Sequence, residues 1–169
     1  MEIVRVTIDE LKQYRSLARK TFLETYESNT DPQQLKDYME EHFSNEASVA
    51  ELAGDECAVF FLKDDNGETV GYCKLRWDTT HELLEPNAME LQRIYVLGEY
   101  QGNGYGKLLL KHAEQYGREH GFDWIWLCVY YENHGAIRFY EREGWVKFGI
   151  KEFKFGDGVY LDPVMKKKL

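Results

Sequence analysis

The stretch Gln101-Gly102-Asn103-Gly104-Tyr105-Gly106-Lys107 constrains this chain more than any other, because its three glycines stand between an apolar strand-like run, Glu90 to Val96, and a strongly helical one, Lys107 to His120. Strand, glycine turn and helix together make an anion cradle. Glycine lets the backbone turn tightly and approach a ligand, so successive amide N–H groups converge on an anion while the following helix adds its positive N-terminal end. The spacing excludes two common phosphate loops. The dinucleotide fingerprint requires Gly-x-Gly-x-x-Gly, and the Walker type requires four residues between glycines followed by Gly-Lys-Ser/Thr. Neither is present; what remains is Gln-x-x-Gly-x-Gly, formed by Gln101, Gly104 and Gly106.

The chain has 169 residues, which suits a single domain over 1–169 and allows roughly two-thirds of the unfolded surface to be buried. An apolar fraction of 43%, 15% aromatics and only three prolines argue against disorder. Cys57, Cys73 and Cys128 fall in apolar strand-like runs without paired spacing, so they read as small buried side chains and not as a disulfide framework or zinc site. No apolar run approaches the roughly 20 residues needed to cross a bilayer. The start Met1-Glu2-Ile3-Val4-Arg5 lacks the charged and apolar regions of a signal peptide. The expectation is a cytoplasmic protein with no membrane partner and no metal.

Net charge is −9, and its location is informative. Residues 24 to 56 hold ten carboxylates (Glu24, Glu27, Asp31, Asp37, Glu40, Glu41, Glu46, Glu51, Asp55, Glu56) against Lys36 alone, while the remainder has 20 acidic and 20 basic residues. A nucleic-acid partner is disfavoured, because duplex binding relies on basic patches that neutralise phosphates. A homodimer is compatible with everything in the sequence.

Leu11, Tyr14, Leu17, Ala18, Phe22 and Tyr26 recur at three- and four-residue steps and predict an amphipathic helix from near Asp9 to before Asn29. Thr30 and Asp31 cap a second helix with Pro32 at its first position, and Ser44 or Asn45 caps a short third that closes at Gly54. Cys57 to Lys63 and Thr69 to Trp77 form a hairpin across Asp64-Asp65-Asn66-Gly67, whose Asn-Gly supplies positive backbone angles. Residues 78 to 88 form a loop. Met89 to Val96 is a strand, and a helix runs from about Gly104 to Gly121. Trp124 to Tyr130 is a strand buried on both faces. A helix follows from Asn133 to about Glu143, then closing strands at Trp145 to Ile150 and Val159 to Lys166 with a turn at Gly156-Asp157-Gly158. The order predicts an α/β (α+β) fold with a mixed sheet flanked by helices.

The loop Gln101, Gly104, Gly106 resembles the coenzyme A pyrophosphate loop of the GNAT N-acetyltransferases. The run Asn133-His134-Gly135-Ala136-Ile137-Arg138-Phe139-Tyr140-Glu141-Arg142-Glu143-Gly144-Trp145 resembles that family's second signature, Asn-x-x-Ala-x-x-Phe-Tyr-x-x-x-Gly-Phe, with Trp145 replacing phenylalanine. The resemblance implies the GNAT fold, with six to seven strands and helices on both faces of the sheet, and acetyl-CoA as co-substrate. It implies that Gln101, Gly102, Asn103, Gly104, Tyr105, Gly106 and Lys107 hold the pyrophosphate. Asn103 stands where the family often has a basic residue, a loss that Lys107 offsets. It further implies that the backbone of Ile94, Tyr95 and Val96 receives the pantetheine amides as an added strand would, with Asn133, Ala136 and Phe139 also at the cofactor. Tyr140 matches the tyrosine that protonates the departing thiolate, its phenol being protonated at neutral pH with a reference pKa near ~10. It also reads as a core aromatic. Glu90, eleven residues before Gln101, has the spacing of the catalytic glutamate in the histone-acetylating branch; it reads equally as a surface glutamate near a strand start.

The region Thr21-Phe22-Leu23-Glu24-Thr25-Tyr26 followed by Asp31-Pro32-Gln33-Gln34-Leu35-Lys36-Asp37-Tyr38-Met39 is similar to the N-terminal part of PaiA-type spermidine/spermine acetyltransferases. In that fold the first two helices form much of the acceptor side, which points to Glu24, Glu27 and Tyr26 as contacts for a polycationic amine. Acidic helical faces are also ordinary solvated surface. Protein, peptide or aminoglycoside acetylation, and a non-catalytic coenzyme A-binding regulatory module, stay open as alternatives.

Overall fold

Tyr14, Leu17, Ala18 and Phe22 lie on one buried stripe of the first long helix, α1 (Leu11–Tyr26), which is entered through a 3-10 turn at Ile8–Glu10 and left through another at Glu27–Asn29. The computed structural model describes residues 1–79, 81, 87–155 and 158–169. Asp31 caps α2 (Pro32–His42), accepting the amides of Gln33 and Gln34 at 3.0 and 3.1 Å, with Pro32 at the first position where its missing N–H costs nothing. Ser44 caps α3 (Asn45–Ala53) through the Ala47 amide at 3.1 Å.

The strands are β1 (Glu2–Arg5), β2 (Cys57–Lys63), β3 (Thr69–Arg76), β4 (Ala88–Val96), β5 (Trp124–Cys128), β6 (Val146–Phe155) and β7 (Gly158–Lys168), in the sheet order β1-β2-β3-β4-β5-β7-β6. The remaining helices are α4 (Tyr105–Glu119) and α5 (His134–Arg142). The expected mixed sheet is therefore present, with seven strands and five helices among the described residues. β4 pairs in parallel with β5, whereas β1 with β2, β5 with β7, and β6 with β7 are antiparallel.

Two units are distinguished along the chain, Met1–Leu75 with Arg93–His112, and Arg76–Gln92 with Ala113–Leu169. In the first, the stripe of α1 packs through Phe22, whose ring stacks on Tyr38 at 4.8 Å and meets Phe43 at 5.3 Å. In the second, Ala88, Trp126 and Val164 form a buried cluster with Trp124, Cys128 and Phe148 against it. The register of β4 and β5 couples Ala88–Glu90 to Trp124–Trp126, and β4 continues past that last pair to Val96.

Several expectations need correction. β1 was not foreseen: four residues carry too little alternation to stand out, and the strand is defined by its partners Ile3↔Leu62 and Val4↔Phe61. In the β2–β3 turn only Gly67 has a positive φ, +82°, so Asn66 is not in the left-handed region. The turn is held instead by Asp64, whose Oδ1 accepts the amides of Asn66 and Glu68, each at 2.9 Å. β3 ends at Arg76, and Trp77 packs its ring 6.1 Å from Tyr116. All three cysteines are free, but only Cys73 is buried, Cys57 and Cys128 being half-buried at strand ends. Most of the expected 156–158 turn, and residues 80 and 82–86 of the expected loop, lie outside the described residues.

Candidate active site

The glycine stretch leaves β4 through Leu97 and a 3-10 turn at Gly98–Tyr100. Gly102 and Gly104 both adopt φ of +82°, and a Cβ on either would meet nothing within 4 Å. Backbone conformation and not crowding is what requires glycine there. The loop closes on itself with few bonds. The Gln101 amide donates to Gly98 O at 3.2 Å, the Gln101 carboxamide to Val96 O at 3.0 Å, and the Asn103 carboxamide to Tyr100 O at 3.1 Å. The first bonds of α4 run from Lys107 and Leu108 to Gly104 O, at 3.0 and 3.2 Å. The amides of residues 102 to 106 donate to none of these, so consecutive N–H groups stand at the positive end of a helix, an arrangement suited to a diphosphate. Asn103, lacking charge, acts as a brace for the loop. Lys107 is exposed, and Ile94, Tyr95 and Val96 are half-buried on β4.

In the second unit Asn133 caps α5, its Oδ1 accepting the Ala136 amide at 3.0 Å. Ala136 and Phe139 are half-buried and Tyr140 is buried. The Tyr140 ring lies 5.2 Å from Phe139 and 5.8 Å from Trp145, and its carbonyl accepts the amides of Glu143 and Trp145, both at 3.0 Å. Trp145 explains its departure from the family signature. Its indole N–H donates at 3.2 Å to Glu114, a carboxylate only 1% exposed, which also accepts from Lys167 at 2.9 Å. Phenylalanine would take one donor from that acid, which also pairs with Arg118 at 3.7 Å.

Glu90 is not a surface residue: it is 5% exposed. Its Oε2 lies 3.6 Å from Nε of Arg76, which also bonds Asp78 Oδ1 at 2.7 Å.

Glu24, Tyr26 and Glu27 sit at the C-terminal end of α1 and the turn after it. Glu24 Oε2 accepts the Gly98 amide at 3.0 Å, and its Oε1 lies 3.9 Å from Lys20. Tyr26 packs on Phe22 at 4.6 Å. Glu27 lines a cavity of about 310 Å³ with Arg19, Leu35 and Met39. The acidic segment is thus not one uniform surface, since Asp31 caps α2 and Glu51 turns inward.

Glu51 forms an interior ion cluster that the sequence reading missed. Lys74 donates to its Oε1 at 2.5 Å, Tyr14 donates to its Oε2 at 2.6 Å, and Arg93 Nη1 lies 3.2 Å from Oε2. The Arg93 guanidinium also sits 4.6 Å above the Phe43 ring. Burial pushes the Glu51 carboxyl upward, but the charges of Arg93 and Lys74 outweigh it and hold the carboxyl below its ordinary value. Burial, then Arg93, lowers the Lys74 ammonium. Burial alone raises the Cys73 thiol to about 12, so no thiolate is at hand there as a nucleophile. The one available signal was charge at Lys74 and Arg93 inside otherwise apolar strands.

Among the described residues no group of His, Cys, Asp and Glu could hold a metal ion, and no helix is long and apolar enough to cross a membrane. The model of the acetyltransferase (GNAT) family matches residues 8–145. An uncharacterized N-acetyltransferase in the pepI 3′ region of Lactobacillus delbrueckii subsp. lactis is 33% identical over 100% of this chain and 98% of its own length. The spermidine N(1)-acetyltransferase of Thermoplasma acidophilum is 26% identical over 99% of this chain and 97% of its own. Among solved structures, the PaiA N-acetyltransferase of Thermoplasma acidophilum in complex with coenzyme A superimposes with a TM-score of 0.74, at 23% identity over 99% of this chain and 98% of that one, a likeness of fold.

Proposed function

The chain belongs to the GNAT acetyltransferase family and is an N-acetyltransferase, and from that premise we propose that it carries acetyl from acetyl-CoA to a polycationic primary amine, a polyamine such as spermidine or spermine, by direct attack in a ternary complex. The observation that carries the reading is the row of amides from 102 into the first turn of α4 at 106, held by two left-handed glycines and, among the described residues, donating to none of the loop bonds given above. In this reading those amides take the diphosphate, the backbone of Ile94, Tyr95 and Val96 takes the pantetheine arm, and Asn133, Ala136 and Phe139 also serve the cofactor.

The amine nitrogen, once deprotonated, forms a C–N bond to the thioester carbonyl and the C–S bond breaks. Tyr140 supplies the proton to the leaving sulfur, and Glu90 receives the ammonium proton through water. The polyamine part rests on full-length similarity to a spermidine acetyltransferase and on the carboxylates of residues 24–56 other than Glu51, which is paired inside, and Asp31, which caps α2. With Glu24 already serving Gly98, its share is through its field, while the exposed Glu27 and the half-buried Tyr26 are the proposed contacts. Carboxylates at one mouth raise the local concentration of a polycation.

Thiol release from acetyl-CoA tests the reading with spermidine, butylamine and a peptide as acceptors. Spermidine is expected to exceed butylamine by about tenfold or more in kcat/KM at low salt, with the advantage shrinking as salt screens the carboxylates. Equal rates for the two amines at every ionic strength would remove the polyamine assignment.

A further inference from the structure

The end of β5 and the start of β7 bring three tyrosines together within the second unit. Tyr130 meets Tyr131 edge-on at 5.0 Å and 71°, and meets Tyr160 edge-on at 6.2 Å and 70°. Tyr131 and Tyr160 face one another nearly parallel, at 6.2 Å and 23°. The three rings pack on one another as a single aromatic cluster, and Tyr131 is 39% exposed, so the cluster presents an aromatic face to solvent.

The cluster is built and not a chance meeting of surface rings. Glu132 accepts from the hydroxyls of both Tyr130 and Tyr131, at 2.7 and 3.0 Å, which fixes the two rings at right angles. Asp162, 6% exposed, accepts the Tyr131 amide at 3.0 Å and ties that residue to β7. Tyr160 folds back over Gly158, where a Cβ would stand 2.9 Å from the ring. Among the described residues neither Glu132 nor Asp162 forms an ion pair with a lysine or arginine, although Lys151 stands opposite Asp162 in the β6–β7 register and His134 acts on Glu132 through its charge. Aromatic faces are electronegative, so three of them beside two carboxylates repel anions and favour a cation. Flat apolar walls suit a weakly hydrated organic ammonium better than a hydrated metal ion.

We propose that Tyr130, Tyr131 and Tyr160, with the carboxylates of Glu132 and Asp162, form an aromatic cation site that takes an ammonium group of the acceptor amine. The site lies in the chain directly ahead of the Asn133 cap of α5, the helix that carries Tyr140. It deepens the polyamine reading and rests on it for the identity of the cation, though not for the preference for positive charge.

Calorimetric titration of the full chain with tetramethylammonium and with spermidine, at matched ionic strength and without acetyl-CoA, reads the site directly. Tyr131→Leu and Tyr160→Leu remove a ring face while keeping apolar bulk. Each is expected to weaken both cations by about tenfold and to raise the KM for spermidine by a similar factor, leaving the KM for acetyl-CoA unmoved; Tyr131→Phe is expected to restore most of the loss. Should a leucine variant unfold by circular dichroism, Gly158→Ala displaces only the Tyr160 ring and is expected to weaken the cations in the same way. Leucine variants that bind both cations as the native chain does, or a phenylalanine variant as weak as leucine, would overturn the site. Loss of tetramethylammonium binding in the variants, without spermidine turnover by the native enzyme, would uphold the site and dismiss spermidine.

Discussion

Glu24 on α1 accepts the backbone amide of Gly98 at 3.0 Å, so the helix expected to face the acceptor also anchors the turn that leads into the glycine loop. That turn has no side-chain cap of its own. Glu24→Ala is expected to cost about 0.5–2 kcal/mol, in the range of a lost helix cap, and to raise the KM for acetyl-CoA more than that for spermidine. Denaturant melts and steady-state kinetics check both; a rise in the spermidine KM alone would place Glu24 in contact with the acceptor.

Tyr140→Phe keeps the ring between Phe139 and Trp145 and removes only the hydroxyl. The expected result is a fall in kcat of about 10²–10⁴-fold, the usual range for a lost general acid. Calorimetry should find coenzyme A affinity unchanged. An unaffected kcat would return Tyr140 to the role of a core aromatic.

Gly104→Ala places a side chain at φ +82° in open space, so its penalty is conformational, about 1–2 kcal/mol. Coenzyme A titrations should show weaker binding as the amides swing out of line. Gly106 has no positive φ and lies in the first turn of α4, so Gly106→Ala is expected to stabilise the free chain by up to about 1 kcal/mol, as alanine does in helices.

The Glu51 carboxyl is depressed in the folded chain, burial being outweighed by Arg93 and Lys74. Below the unfolded carboxylate pKa, near ~4.3, the unfolded chain therefore binds the proton more readily, and stability drains away as pH falls towards the folded value. Glu51→Gln is expected to flatten that acid limb. At neutral pH it leaves two cations without their anion and should cost about 3–5 kcal/mol. Urea melts from pH 3 to 7 would reveal an unchanged acid limb if the cluster were unimportant.

Trp145→Phe restores the residue usual in the family signature, yet it strips one donor from the enclosed Glu114. A loss of about 1–3 kcal/mol is expected, the penalty for an unmatched buried acceptor. Urea unfolding measures it, and a neutral result would mean that the remaining partners, Lys167 and Arg118 among them, satisfy the acid.

What could be read from the sequence was whatever is written within a few consecutive residues. Asp31-Pro32 announced α2, Asn133 announced α5, and Gln101 to Lys107 announced the loop, because caps and turns depend on immediate neighbours. What escaped depends on residues brought together from afar. Lys74 and Arg93 reach Glu51 across 23 and 42 positions, so the sequence reading counted Glu51 as surface charge when its charge lies indoors. The tyrosine cluster was equally hidden, since Tyr160 joins Tyr130 and Tyr131 only once β7 is in place. β1 carries four residues and no punctuation of its own.

The indole of Trp145 and the acid of Glu114 are each an awkward choice without the other. In descent, neither position is then at liberty to drift by itself. Relatives with phenylalanine at the first should carry a smaller or uncharged residue at the second, so the two sites ought to change hands as a pair.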